Sequence, residues 1–246
     1  QLEARKRTSS GMQFQASYVY GKALTNTSVE RGLDALLDNN NPAIERARAP
    51  WDLNQAFKFN HYIPLPLGNG HRLSYQPLNR LLEGWAASGF LTVQSGNPIS
   101  ILSERGTLNR TARSGQNTVD TSDSLGQLRN ISGLFMTGNG PYFINPANVD
   151  PVTGQGVAPD GSTPFNGQVF FNPGPGTVGT LQRRDLTGPW YNNYNFAISK
   201  GTKITERQST QFRADFYNLF NHPNFLTGDQ DVNSTNFGKI TSMFYS

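Results

Sequence analysis

An all-β fold is predicted for this chain: an antiparallel up-and-down meander forming part of a transmembrane β-barrel, incomplete, with long outer loops. Three observations predict it. Several stretches alternate apolar and polar residues at period two, the signature of strands with two unlike faces. The connections between them are short and long in turn, as they are in outer-membrane barrels. No apolar run reaches about 18 residues, which excludes a membrane-spanning helix and leaves open a barrel, whose signal per segment is weaker.

The first strand is a short one at residues 1–6. The second, residues 12–23, sets Met12, Phe14, Ala16, Tyr18 and Tyr20 against Gln13, Gln15 and Ser17. The third, 51–63, sets Leu53, Phe57, Phe59 and Ile63 against Asp52, Asn54, Lys58 and Asn60, with Gln55 and His61 interrupting its apolar side. The fourth, 85–101, sets Trp85, Ala87, Leu91 and Val93 against Ser88, Thr92 and Gln94; Gly89 and Gly96 thin it, and Phe90 falls on the polar side. In the fifth, 191–203, Tyr194, Phe196 and Ile198 oppose Asn193, Asn195 and Ser199. The sixth, 209–221, shows Phe212, Ala214, Phe216 and Phe220 opposite Gln211, Arg213, Asp215 and Tyr217. A seventh is expected to begin near Phe237. Helix is expected at two short turns, 122–134, opened by Thr121 and Ser122, and 79–83.

Composition agrees with this reading. The chain has 246 residues, 35% hydrophobic and 15% charged, with 25 Gly and 15 Pro to punctuate turns. There is no cysteine, so neither disulfides nor thiolate metal sites contribute. The net charge of +4 comes from scattered basic residues rather than a stripe, so no nucleic-acid partner is expected. Residues 1–7 lack the apolar core of a signal peptide, and no initiator Met precedes them, so the chain is expected to lie inside a longer protein.

Loop lengths set the orientation. Residues 24–50, 103–189 and 222–236 are long and share one side by strand parity, which is assigned as the outside; 7–11 and 201–207 are short. The connection 64–84 is longer than a usual periplasmic turn. Tyr18, Tyr20, Trp51, Trp190 and Tyr191 are expected at the outer membrane edge and Trp85 at the inner one. The residues expected to face lipid are Phe14, Tyr18, Phe57, Phe59, Leu91, Val93, Tyr194, Phe196, Ile198, Phe212, Phe216 and Phe220. The rival is a soluble β-sandwich that binds carbohydrate or mediates adhesion, because the same strands can bury their aromatics against a second sheet.

Longer patterns carry a resemblance. Trp51-Asp52-Leu53, Phe57-Lys58-Phe59-Asn60, Ile63-Pro64-Leu65-Pro66-Leu67-Gly68, Asn79-Arg80-Leu81-Leu82-Glu83-Gly84-Trp85 and Gln94-Ser95-Gly96-Asn97-Pro98 resemble late barrel strands of the Oar-like TonB-dependent receptors. So do Gly106-Thr107-Leu108-Asn109-Arg110, Thr205-Glu206-Arg207, the run from Phe216 through Asn218, Asn221, His222 and Pro223 to Phe225, and Phe237-Gly238-Lys239-Ile240. The resemblance implies a C-terminal part of a large barrel, similar to outer-membrane transporters of about 22 strands with a plugged lumen. It also implies uptake of a ligand that the sequence does not name, energised by the TonB system through N-terminal parts that this sequence lacks. Implied surroundings are outer-membrane lipid and lipopolysaccharide, and the implied location is the cell outer membrane. A fragment of this kind is not expected to transport anything alone.

Motifs for other chemistry are weak. Gly174-Pro175-Gly176-Thr177-Val178-Gly179 satisfies a phosphate-loop spacing, but no helical stripe follows, so turn chemistry is expected. Asp229, Asp231 and Asn233 have the opening spacing of a calcium loop, yet Ser234 stands where Gly is needed and Ile240 where Glu is needed. His61, His71 and His222 form no recognised metal or catalytic pattern. No catalytic, cofactor-binding or metal residues are therefore assigned, and the chain is not expected to be an enzyme. Arg105, Arg110, Arg113, Arg129, Arg183 and Arg184 all fall in the longest loop. They are read mainly as solubilising residues paired with Asp120, Asp123 and Asp185, with anion or lipopolysaccharide binding as the lesser reading. Inward Lys58, Arg213 and Asp215 are expected to brace the lumen.

Overall fold

The structure is a computed structural model that describes residues 1–26, 37–38, 41–68, 71, 75, 78–105 and 116–244. In chain order its strands are β1 Leu2–Arg7, β2 Gln13–Tyr20, β3 Leu24–Thr25, β4 Ala47–Arg48, β5 Gln55–Pro64, β6 Trp85–Gln94, β7 Pro98–Ile99, β8 Ser132–Thr137, β9 Gly140–Ile144, β10 Leu186–Thr187, β11 Tyr191–Lys203 and β12 Ser209–Phe216. The large sheet runs β1-β2-β5-β6-β11-β12, antiparallel at every step and not closed into a barrel. Among the described residues no helix is long and apolar enough to cross a membrane.

Register decides which residues share a face. Tyr18 pairs with Phe57 and Phe57 with Val93; Phe59 pairs with Leu91 and Leu91 with Tyr194; Phe196 pairs with Phe216 and Ile198 with Ala214. A cross-strand partner lies on the same side of a pleated sheet. The ladder therefore puts Phe14, Tyr18, Phe57, Phe59, Leu91, Val93, Tyr194, Phe196, Ile198, Phe212 and Phe216 on one face. Phe220 lies beyond β12, and its ring stacks on Tyr194 at 5.5 Å between centroids.

Strand ends differ from expectation for local reasons. β12 stops at Phe216, not Asn221, because Asn218 and Asn221 take positive φ of 47°. Asparagine tolerates that region, and the Asn218 side chain holds the turn by accepting from His222 N at 3.0 Å and donating to His222 O at 3.1 Å. β6 stops at Gln94. A Cβ on Gly96 would run into the carbonyls of Gly188 and Pro189, and the chain then turns into β7, which pairs with β10 in a separate two-stranded sheet. The helix spans Leu125–Ile131 and is opened by Ser124, not by Thr121 or Ser122. Ser124 accepts from Gln127 N while Gln127 Oε1 accepts from Ser124 N at 2.9 Å, a reciprocal capping box. The second helical turn spans Asn79–Leu82. The seventh strand expected near Phe237 does not form in the described residues.

Phe237 is instead fully buried, in a core that lies outside the sheet. That core joins Ile99, Ile101, Val119, Leu128, Phe143, Ile144, Phe170, Leu186, Val232 and Ile240, all from the connections 95–190 and 217–244. Phe143 and Phe170 meet Phe237 edge-on at 6.3 and 5.8 Å. Backbone bonds stitch the two connections together: Leu102 N to Gln230 O at 2.9 Å, Val232 N to Leu102 O at 3.0 Å, and Phe143 N to Gly238 O at 2.8 Å. The region read as loop is thus a folded lobe at the long-connection end of the sheet. Of the buried apolar residues, Ala86 and Ala197 alone belong to the large sheet. Phe237→Ala is expected to destabilise the lobe by about 3–5 kcal/mol. Hydrogen exchange reads it: faster exchange at Phe143 and Val232 with β5 and β6 unchanged is the expected result.

Candidate functional site: a strand wall and its outer lobe

The apolar face is a field of rings over which no second sheet lies among the described residues. None of its eleven strand residues is buried, and Phe212 is 58% exposed. Phe14 stacks on Phe59 with centroids 6.5 Å apart, and Phe196 tilts against Phe216 at 6.2 Å. Gly89 is a slot in this face, since a Cβ there would overlap the pair made by His61 Nε2 and Tyr194 Oη, which lie 2.8 Å apart. That explains why Gly sits inside a strand where it weakens pairing. A second sheet covering these rings, as the sandwich requires, is absent among the described residues; the remaining sheets are two-stranded pairs within the connections.

The opposite face carries Lys58, Asn60, Ser88, Asn195, Arg213 and Asp215, by the same register. Arg213 and Asp215 pair at 2.8 Å along β12. Phe90 lies on this face too, between Asn60 and Asn195, and is 40% exposed.

At the short-turn end, Lys200 Nζ sits 5.8 Å from the Trp85 ring centroid and donates to Arg80 O at 3.0 Å and Glu83 O at 2.8 Å. Its stem crosses the apolar face while its charge reaches the end of the wall, which is the geometry of snorkelling. At the other end Tyr20, Trp51 and Trp190 are exposed. Tyr191 is a correction: its pairing with Gln94 puts it on the polar face, where it meets Phe244 edge-on at 5.9 Å.

The lobe is tied to the first long connection by polar joints. Glu45 and Arg183, both nearly fully buried, form an ion pair between the first and second long connections. Arg48 binds Asp52 at 2.8 Å and donates from Nη1 to Thr187 Oγ1 at 2.8 Å. Gln182 Nε2 donates to Ile44 O and Arg46 O. These partners correct the expected arginine pairing, for Arg183 uses Glu45 and Arg105 uses Asp160 rather than Asp120, Asp123 or Asp185. Arg183 and Arg184 are buried and so form no exposed ring of donors; Arg110 and Arg113 lie outside the described residues. Their partners could not be found by sequence spacing, because Glu45 and Arg183 are 138 positions apart.

The acids of the last connection serve its own backbone. Asp229 Oδ1 accepts from Asp231 N at 3.1 Å, and Asp231 Oδ1 accepts from Asn233 N at 3.0 Å. Partial burial, followed by the charges of Asp231 and Asp229, raises the carboxyl of nearby Glu104 above its ordinary range. Burial likewise raises Asp185, against the attraction of Lys22, Arg129 and Arg48. No group of three or more metal-type side chains occurs among the described residues. The segment 174–179 is a turn with no helix after it, and a Cβ on Gly179 would strike Thr118 O.

Glu45→Ala leaves Arg183 buried without its counter-charge and is expected to cost about 3–5 kcal/mol. Limited proteolysis should then cut the first long connection faster than in wild type, and unchanged cutting would show that the pair is not a joint.

A family model for an outer membrane beta barrel domain matches residues 1–246. No curated protein and no solved structure matches significantly. The match covers the whole chain and coincides with an antiparallel sheet whose aromatic face no second sheet covers among the described residues. The chain therefore belongs to the outer-membrane β-barrel domain family and is located in the outer membrane.

Proposed function

We propose that the chain supplies wall strands and an outer lobe to a TonB-dependent, Oar-like receptor that takes up a ligand across the outer membrane. The observation that carries this reading is the position of the family-like motifs at the joints between wall and connections. The run 216–225 makes the bend that ends β12 and brings in Asn224, whose buried side chain accepts from Asn192 N at 2.7 Å. Gln94 to Pro98 makes the bend from β6 into the lobe, Asp52 anchors Arg48, and Asn79 to Trp85 makes the helical turn at the opposite end. Gly106 to Arg110 falls outside the described residues. In this role the polar face lines the lumen, Arg213 and Asp215 brace it, and the lobe stands at the entrance. The chain acts as a transport wall rather than an enzyme. Its partners are lipid outside, a ligand within, and the TonB system through other parts of the polypeptide; nucleic acid has no place in it.

Lipid covers the apolar face in this reading. A bilayer removes the aromatic side chains from water, at roughly 1.5–3 kcal/mol for each one fully buried. Phe212→Arg is expected to cost about 2–4 kcal/mol and to reduce insertion into the outer membrane. Wild-type insertion of that variant, read by heat-modifiable migration of the membrane fraction, would place Phe212 away from lipid.

The reading frame upstream of Gln1 provides the test of transport itself. An in-frame plug domain with a TonB-contacting segment is the expected finding. A secretory leader joined directly to residue 1 would remove the TonB-dependent assignment and leave the barrel.

A further inference from the structure

A surface groove of about 390 Å³ lies where the lobe meets the outer end of β11. Trp190, Arg129, His222, Leu134, Ser132 and Thr187 line it. Trp190 immediately precedes β11 at this end of the wall. His222 follows two residues after Phe220, which stacks on Tyr194 of the apolar face. The groove therefore borders the ring-covered surface at the end of β11. Trp190 is 51% exposed, and Leu134 adds an apolar wall.

Charge separates this groove from the rest of the rim. Arg129 ends the helix Leu125–Ile131, and its guanidinium makes no hydrogen bond or ion pair among the described residues, although it attracts Asp185. Lys22, at the outer end of β2, acts on the same carboxylate. Arg48, the third cation around Asp185, is already matched by Asp52. Two cations thus face one acid, with the His222 imidazole and the Ser132 and Thr187 hydroxyls available as further donors. Thr187 Oγ1 already accepts from Arg48, which leaves its proton free to donate.

We propose that this groove binds the phosphate of an outer-leaflet lipid, with Arg129 on the phosphate oxygens and Trp190 against the head of the acyl region. An indole favours that half-wet depth, and a guanidinium matches phosphate as a planar fork of donors. A soluble anion lacks the apolar part that Leu134 and Trp190 would cover, so the occupant is the lipid-anchored phosphate. The site concerns the outward side of the wall and does not depend on what the lumen transports.

The test uses the full-length parent protein refolded into phosphatidylcholine nanodiscs with or without lipid A, and counts retained lipid by native mass spectrometry. Wild type should retain lipid A in preference to phosphatidylcholine, and inorganic phosphate should not displace it. Arg129→Ala should weaken retention about tenfold, the scale of one charge-assisted hydrogen bond, while Arg129→Lys keeps most of it. Trp190→Ala should weaken it further without altering heat-modifiable migration. Equal retention by wild type and Arg129→Ala overturns the proposal, as does displacement of lipid A by inorganic phosphate. If Arg129→Ala fails to fold, His222→Ala with Ser132→Ala carries the same comparison, and undiminished retention there has the same consequence.

Discussion

Backbone pairing across the six-stranded sheet is the constraint from which the rest follows. In hydrocarbon an N–H or C=O without a partner costs several kcal/mol, so a wall in the membrane must complete its hydrogen bonds from strand to strand. The β5, β6 and β11 ladders do this along nearly their full lengths. Once the ladder is set, side chains have two destinations only, and the period of two sorts aromatic from polar without any further instruction. Among the described residues the wall consequently has no second sheet packed over its rings. Its rings touch one another laterally.

That division moves the hydrophobic core to an unusual place. The fully buried phenylalanines are Phe143, Phe170 and Phe237, and all three lie in connections rather than in the sheet. Outside the bilayer, water again drives apolar burial, so a long connection with enough Ile, Val and Phe folds as a small aqueous domain. Its attachments are polar instead: Glu45 with Arg183 and Arg48 with Asp52 and Thr187 join it to the first long connection, and Asn224 with Asn192 joins it to β11. Directional bonds hold a lobe at a fixed angle better than nondirectional contact does.

The strands were the legible part. β11 spans residues 191–203 as alternation alone assigns, and the connections that follow β2, β6 and β12 leave the large sheet at one end, as antiparallel pairing requires. Legibility failed at the joints. Asn218 and Asn221 end β12 early through left-handed backbone, and Gly96 ends β6 through close approach to residues 188 and 189. Tyr191 looked like a belt residue until its pairing with Gln94 assigned it to the other face. Each of these turns on one residue's conformation or on a partner far away in sequence.

Sequence by itself determined the two-faced strands, their order, and which aromatic residues belong together, because a strand's face depends on parity alone. Tertiary structure decided that residues 116–189 fold with 217–244 around Phe237, and that Arg183 is spent on Glu45 rather than on solvent. It also decided that Arg129, Trp190 and His222 meet at one groove. Those outcomes join segments with no shared periodicity, and only three-dimensional packing brings such segments within reach of one another.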